Sequence, residues 1–259
     1  MARRIKYIPS KLFFQVWRRH FLVWRKSAAT SLMGTLGEPF LYLLGMGYGL
    51  GRFVGEIEGI SYLVYITSGI LAASSMNTAT FEALYGGFTR MTRQNTFQAM
   101  LATPLRVADI VAGEVGWGAT KALISGLAIF LAGNLLGSIP SQTAFLVLPV
   151  VFLSGMVFTS MALVVVALAP NYDFFLYYFT LVTTPMFLFC GVFYPIDSLP
   201  ETAQMVAAHL PLAHVVALIR PLTIGIPLEN PAFHIISLLI YGAVTFFLAV
   251  QLLKKRLIV

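Results

Sequence analysis

The stretch Ala232-Phe-His-Ile-Ile-Ser-Leu-Leu-Ile-Tyr-Gly-Ala-Val-Thr-Phe-Phe-Leu-Ala-Val-Gln-Leu-Leu253 contains no Asp, Glu, Lys or Arg, and Lys254-Lys-Arg256 follows it at once. As a helix at 1.5 Å per residue it extends about 33 Å, close to the thickness of a bilayer's hydrocarbon core. It reads as a membrane span closed by a basic anchor. The same reading by length places further spans at about 31–50, 60–81, 108–136, 144–169 and 174–194. The third, which carries Glu114 and Lys121, is the weakest by hydropathy. Glu38-Pro39 and the glycines around it break the first span, which a bilayer helix tolerates when neighbours satisfy the freed backbone. Pro149 and Pro185 are candidate kinks in the fourth and fifth.

Composition supports this reading. The 259 residues are 58% hydrophobic and 10% charged, against roughly a quarter charged in a soluble domain. A water-facing surface would need those missing charges. The net charge of +7 does not indicate nucleic acid, because the basic residues flank apolar stretches and are not interleaved with polar aromatics. The single cysteine, Cys190, excludes an intrachain disulfide and lies in an apolar run that suits packing. No cleaved leader is expected: the first apolar run starts only near Leu32, and no small-residue cleavage site follows it.

Orientation follows from lysine and arginine. Residues 1–30 hold eight (Arg3, Arg4, Lys6, Lys11, Arg18, Arg19, Arg25, Lys26), the 83–106 segment three (Arg90, Arg93, Arg106) and the C-terminus three more. The opposite side holds Arg52 and Arg220. The positive-inside rule then places both termini in the cytoplasm, and termini on one side require an even number of spans.

Three segments outside the spans carry further information. In residues 10–27, Phe13, Phe14, Trp17, Phe21 and Trp24 share one helical face at about 100° per residue, while Lys11, Arg18, Arg19, Arg25 and Lys26 cluster on another. That pattern suits a helix lying in the headgroup plane, rings inward and cations toward anionic lipid. Residues 87–106 are long for a connector, polar, yet supplied with Phe88, Met91, Phe97, Met100 and Leu101. A short cytoplasmic helix with apolar knobs and basic residues is suited to docking in a groove of a soluble partner. Residues 195–231 are too apolar for a solvated loop, and each apolar piece is too short to cross, so a re-entrant or interfacial pair is expected. Ser198-Leu-Pro-Glu201 reads as a capping box, Pro211 separates two short helices, and Arg220-Pro221 ends the second. His209 and His214 lie five apart with no further ligand nearby, so no metal site is expected.

Catalytic patterns are lacking. Asp109, Asp173 and Asp197 are far apart, no serine has a nucleophile-elbow context, and Gly116-Trp-Gly-Ala-Thr-Lys121 lacks the Gly-Lys-Ser/Thr core of a phosphate loop. The chain cannot bind ATP in that way. A pump built on it would draw energy from an ion gradient or from a separate ATPase. Buried ionisable residues mark ion pathways in gradient-driven transporters. Glu114 and Lys121 are the best pair for that role, seven apart on one face with Trp117 between them, although Lys121 can snorkel and Glu114 is close to the interface. Glu38 and Glu82 also lie near predicted boundaries.

The whole order of parts resembles the permease subunit of ABC-2 type exporters, and within them the nodulation protein J subfamily of lipo-oligosaccharide exporter permeases. The residues that carry the resemblance are Gly37-Glu-Pro-Phe-Leu-Tyr-Leu-Leu-Gly-Met-Gly-Tyr-Gly-Leu-Gly51, Thr80-Phe-Glu-Ala-Leu-Tyr-Gly-Gly-Phe-Thr-Arg-Met-Thr92, Thr96-Phe-Gln-Ala-Met-Leu-Ala-Thr-Pro104, Val111-Ala-Gly-Glu-Val-Gly-Trp-Gly-Ala-Thr-Lys121 and Gly191-Val-Phe-Tyr-Pro195. The resemblance implies an all-α polytopic membrane protein of a bacterial cytoplasmic membrane. It would have an N-terminal interfacial helix, six spans, a cytoplasmic coupling helix over 87–104 and an extracytoplasmic re-entrant pair over 195–231. It also implies two copies of the chain above two P-loop ATPase subunits that bind ATP and Mg, with no cofactor in the chain itself. Arg90, Arg93, Gln94, Phe97, Met100 and Leu101 would contact the ATPase. Spans one, two and five would border a conduit at the dimer interface, to which Tyr42, Tyr48, Asn77, Thr80, Tyr177, Tyr178 and Phe179 are assigned. Sugars stack on rings and acyl tails need apolar walls; the plainer role of each such residue is lipid contact or helix packing. The two functional expectations are an ATP-driven exporter of an amphipathic lipid-linked or oligosaccharide-type substrate, and a gradient-driven transporter or channel with no ATPase partner.

Overall fold

A computed structural model describes residues 8–57 and 59–258; the side chains at 32, 34–36, 38 and 39 are not included. Arg3, Arg4, Lys6 and the Glu38 side chain therefore lie outside the described residues. Among the described residues the regular structure is helical apart from an antiparallel pairing of the two-residue strands β1 (Glu56–Ile57) and β2 (Ile60–Ser61). Its helices are α1 (Phe13–Arg25), α2 (28–54), α3 (62–92), α4 (Thr96–Leu101), α5 (Val107–Leu135), α6 (Gln142–Leu168), α7 (Phe174–Phe189), α8 (Glu201–His209), α9 (Pro211–Ile224) and α10 (Pro231–Leu257).

Three of these, α5, α6 and α10, are long and apolar enough to cross a bilayer, and the bent pair α8–α9 is a candidate fourth. Only 17% of the apolar window of α10 is buried. An apolar helix that leaves most of its surface outward in a folded chain faces lipid. The chain is an integral membrane protein.

Wide turns mark the other long helices. Each of α2, α3 and α7 contains a π-helical segment, Gly45–Leu50, Glu82–Gly87 and Phe179–Thr183 respectively. The expected break at Glu38-Pro39 is not seen, since helical backbone runs unbroken from Ala28 to Leu44. Pro185 falls just after the π segment of α7, where the widened turn takes up its missing donor. Pro149 lies in the first turn of the α-helical part of α6, where there is no ladder bond to lose, so it produces no kink.

The 195–231 segment departs from its expected details. Ser198 donates to the Pro195 carbonyl at 2.7 Å and does not cap α8; Gln204 secures that entrance by donating to the carbonyls of Asp197 and Leu199. Leu210, ahead of Pro211, is extended (ψ 141°), as the proline ring demands, and α8 and α9 meet at 85°. Helix α9 continues past Pro221 to Ile224 and stops at left-handed Gly225 (φ 91°).

Packing is organised in two apolar cores along the bundle. One gathers Ile66, Leu71, Val151, Phe158, Leu212 and Ile219; the other, nearer α4, gathers Phe88, Phe97, Val111, Leu163, Phe175 and Val250. Small residues allow close crossings. Gly69 of α3 passes so near Val192 that a Cβ there would overlap the Val192 carbonyl, whereas Gly45 has open space. The end of α6 is closed by a residue from the far end of the chain: Arg256 Nη1 donates to the carbonyls of Val166, Ala167 and Ala169 at 2.8, 3.1 and 2.7 Å. These are carbonyls that a helix C-terminus leaves unpaired, and a cation is favoured there. Arg256→Met should therefore lower stability by about 1–3 kcal/mol, seen as a lower thermal unfolding midpoint in detergent. Gly69→Ala should be at least as damaging, while Gly45→Ala should be neutral.

Candidate functional site

A cavity of about 490 Å³ opens between α2, α3, α5 and α7. Its walls are mixed. Tyr42, Ile70, Phe81, Tyr85 and Phe187 give rings and aliphatic surface; Thr30, Ser31, Ser74, Asn77, Thr78, Glu82 and Lys121 give polar groups. Such a lining suits an amphipathic ligand. Of the conduit residues expected from sequence, Tyr42 and Asn77 line it, and Tyr42 packs edge-on against Phe187 at 5.7 Å. Thr80 and Tyr178 are buried instead, and their hydroxyls have no hydrogen-bond partner among the described residues. Phe179 packs beside Phe81 and Tyr85, on the rim. Tyr48 and Tyr177 are exposed on the outer surface and do not line the cavity. Much of the polar side of α3 is spent on helix packing: Ser75 bonds Ser154 at 2.6 Å, and Ser74 bonds Ser125 at 2.7 Å while also touching the cavity.

Where the cavity approaches α4, its lining joins a cluster of buried charge. Glu114 of α5 is 2% exposed. Arg90 of α3 grips it with two donors, Nε to Oε1 at 3.0 Å and Nη2 to Oε2 at 2.6 Å. The third arm, Nη1, donates to Glu82 Oε1 at 3.0 Å. Trp117 Nε1 donates to the same oxygen at 3.0 Å, and Lys121 Nζ approaches Glu82 Oε2 at 3.9 Å while donating to Ser31 of α2 at 2.6 Å. On the other side, His20 Nε2 of α1 lies 3.0 Å from Glu114 Oε1. Arg19, on the same helix, feels the cluster: burial first and then Arg90 lower its pKa, while Glu114 pulls it back. A planar guanidinium can grip one carboxylate with two parallel donors while its remaining arm holds a second, a fixed fork that an ammonium does not offer.

Glu114 and Lys121, adjacent on one helical face by sequence, thus pair with different partners. Arg90, Glu82 and His20 come from other helices than α5; by sequence Glu82 was expected only as a boundary residue and Arg90 only as an ATPase contact. One signal for His20 was available: it is a polar residue on the apolar side of α1, beside Val16, and both are buried against α5. The Val16 side fits over Gly113, and Trp17 Nε1 donates to Thr120 Oγ1 at 2.9 Å. Phe13 and Phe14 remain exposed.

The 87–104 segment also differs from a single helix. Residues 87–92 are the end of α3; the chain turns at left-handed Asn95 (φ 51°), and only Thr96–Leu101 form a separate helix. Phe97 and Met100, expected to serve a partner, fill the chain's own second core, and Leu101 is half-buried against it. Arg93, Gln94, Asn95, Gln98 and Ala99 are exposed at the tip. Among the described residues no group of three or more His, Cys, Asp or Glu could hold a metal; His214 instead meets His234, Nδ1 to Nδ1 at 2.9 Å. Removing one partner of a buried ion pair strands the other. Glu114→Leu should therefore cost about 3 kcal/mol, with Arg90→Met in the same chain recovering a large part of it; thermal unfolding of the two single variants and the double variant measures this coupling.

Comparisons with known proteins fit this arrangement. Residues 11–224 match the family model described as ABC-2 type transporter. The chain is 46% identical over 242 residues to "Nodulation protein J" of Rhizobium leguminosarum bv. viciae, covering 93% of each chain. It is 43% identical to the protein of that name from Rhizobium meliloti (strain 1021), over 93% of this chain and 92% of the relative. It is 26% identical to "Inner membrane transport permease YadH" of Escherichia coli (strain K12), over 93% of each. A membrane protein with a mixed-wall cavity, matched to that family over most of its length, belongs to the ABC-2 type transporters as a membrane permease, a family that implies a partner ATPase subunit.

Proposed function

We propose that this chain is the permease of an ATP-driven exporter that moves an amphipathic, lipid-linked or oligosaccharide-type substrate out of the cytoplasm or inner leaflet. The observation that carries the reading is the cavity, whose aromatic and hydroxyl-bearing walls suit a sugar beside an acyl chain. At its inner end, the charge cluster leads directly to the protruding 93–104 turn. Six spans, drawn from α2, α3, α5, α6, α7 and α10, would cross a bacterial cytoplasmic membrane with both termini inside. The α8–α9 pair would dip into the outer side. Two copies would flank the conduit, above two P-loop subunits that bind ATP and Mg and carry out all of the hydrolysis. The relatives' printed names, nodulation proteins and an inner-membrane transport permease, are consistent with this role.

The residues of ATPase contact are narrower than the sequence implies. Arg90, Phe97 and Met100 are committed inside the chain, so contact falls on Arg93, Gln94 and the exposed neighbours Gln98 and Ala99. A gradient-driven mechanism would need Glu114 as an exchangeable ion site, and its engagement by Arg90 and His20 weighs against that. Co-purification from the native membrane is the test. A P-loop ATPase should accompany the wild-type chain in about equal amounts. Ala99→Trp should weaken that association at least about tenfold without lowering the permease's own thermal midpoint. A chain that emerges without any ATPase under mild detergent would refute the proposal.

A further inference from the structure

We infer that Arg90 is the positioning residue that carries the state of the 93–104 turn to the cavity and to α1, an inference that rests on the permease reading above. Arg90 is placed two residues before α3 ends at Thr92, so a displacement of the turn acts directly on its backbone. Its guanidinium is shared among elements with different tasks. Two arms hold Glu114 on α5, whose Oε1 also meets His20 of α1; the third holds Glu82, which lines the cavity and approaches Lys121. Moving Arg90 must therefore rearrange a cavity wall and release or tighten α1 together.

The backbone between Glu82 and Arg90 allows such movement. It is the π-helical segment Glu82–Gly87. Reverting a π turn to α removes one residue from the turn and rotates the flanking parts by about 100° relative to each other. The Arg90–Glu82 bond bridges this segment and selects one register. Gly86 makes the bridge possible, because a Cβ there would lie 2.7 Å from Glu82 Oε1 and 2.9 Å from Arg90 Nη1. Glycine at that position is explained by the path of the guanidinium.

The chain's three tryptophans, Trp17, Trp24 and Trp117, all lie at this joint. Trp24 is 6.0 Å from Trp117, and Lys121 Nζ lies 5.9 Å from the Trp24 ring centroid. Its indole N–H has no acceptor among the described residues, so Trp24→Phe loses no hydrogen bond and isolates its emission by difference. The experiment uses the permease–ATPase complex in lipid nanodiscs, with ATP, Mg and orthovanadate added to trap the closed ATPase. The Trp24 emission should shift on trapping in the wild type. In Arg90→Lys, which keeps the charge but not the fork, and in Gly86→Ala, which keeps both charged residues, that shift should fall about tenfold, the size of a typical coupling between sites. ATPase binding and hydrolysis should persist in both. An undiminished shift in either assembled variant overturns the inference, as does a wild-type complex that hydrolyses ATP with no shift at all. If the wild-type chain binds no ATPase, the permease reading itself falls. Should Arg90→Lys fail to assemble, Gly86→Ala decides alone.

Discussion

The buried pair of Arg90 and Glu114 is the constraint around which the half of the protein next to α4 is arranged. Two ions removed from water cost several kcal/mol each, and attraction offsets this only when geometry is close and the remaining donors are used. Here Nε, Nη1 and Nη2 of Arg90 each find a carboxylate oxygen, so α3 and α5 cannot slide past one another without stranding a charge. Helix α1, amphipathic by its sequence, meets the same carboxylate through His20, whose Nε2 lies 3.0 Å from it. Asp109 secures its start, accepting from the backbone of Ser10 and Arg106. Helix α1 is thus a bundle member on one side, through Val16 and His20, and presents Phe13 and Phe14 outward on the other.

The opposite half, next to α8 and α9, is held differently. Charges give way to small residues and hydroxyls: Gly69 against Val192, Ser75 with Ser154, and Thr67 with Ser138. Lipid is as apolar as leucine, so close backbone approach and interhelical hydrogen bonds replace the hydrophobic drive of soluble proteins. Arg220 is the exception. It stacks on Tyr65 at 3.7 Å and donates to Ser68 and to the Gly191 carbonyl, joining α9 to α3. The two ends therefore differ in kind: an ionic joint near the 93–104 turn, and a tightly packed crossing beneath α8 and α9.

What the sequence could show was what local composition decides. The apolar stretches over 108–136, 144–169 and 232–253 and the bend at Pro211 needed no tertiary information. Prolines misled where position outweighed identity: Pro149 sits in the first α-helical turn of α6, and Pro221 rides inside a helix whose stop is Gly225. The charged site was only half visible. Glu114 and Lys121 announce themselves by being charged within an apolar run, but their partners depend on which helices cross, and no periodicity within α5 encodes Arg90, Glu82 or Ser31. The apolar knobs Phe97 and Met100 were legible as knobs; that the chain's own core supplies the hole could not be read from a six-residue helix.

The long sequence separations in these ties bear on how the protein is made. Ser10 and Trp17 meet partners 99 and 103 residues later, and His20 waits for Glu114 over a similar interval. A ribosome adding roughly 5–20 residues per second leaves α1 without its dock for several seconds after it emerges. Its aromatic face and basic flank are suited to that interval as well as to the finished protein. Farther along, the open carbonyls of α6 stay uncapped until Arg256, 87 to 90 residues later, arrives. A ribosome stalled between α6 and that arginine would hold α6 formed but still unlatched.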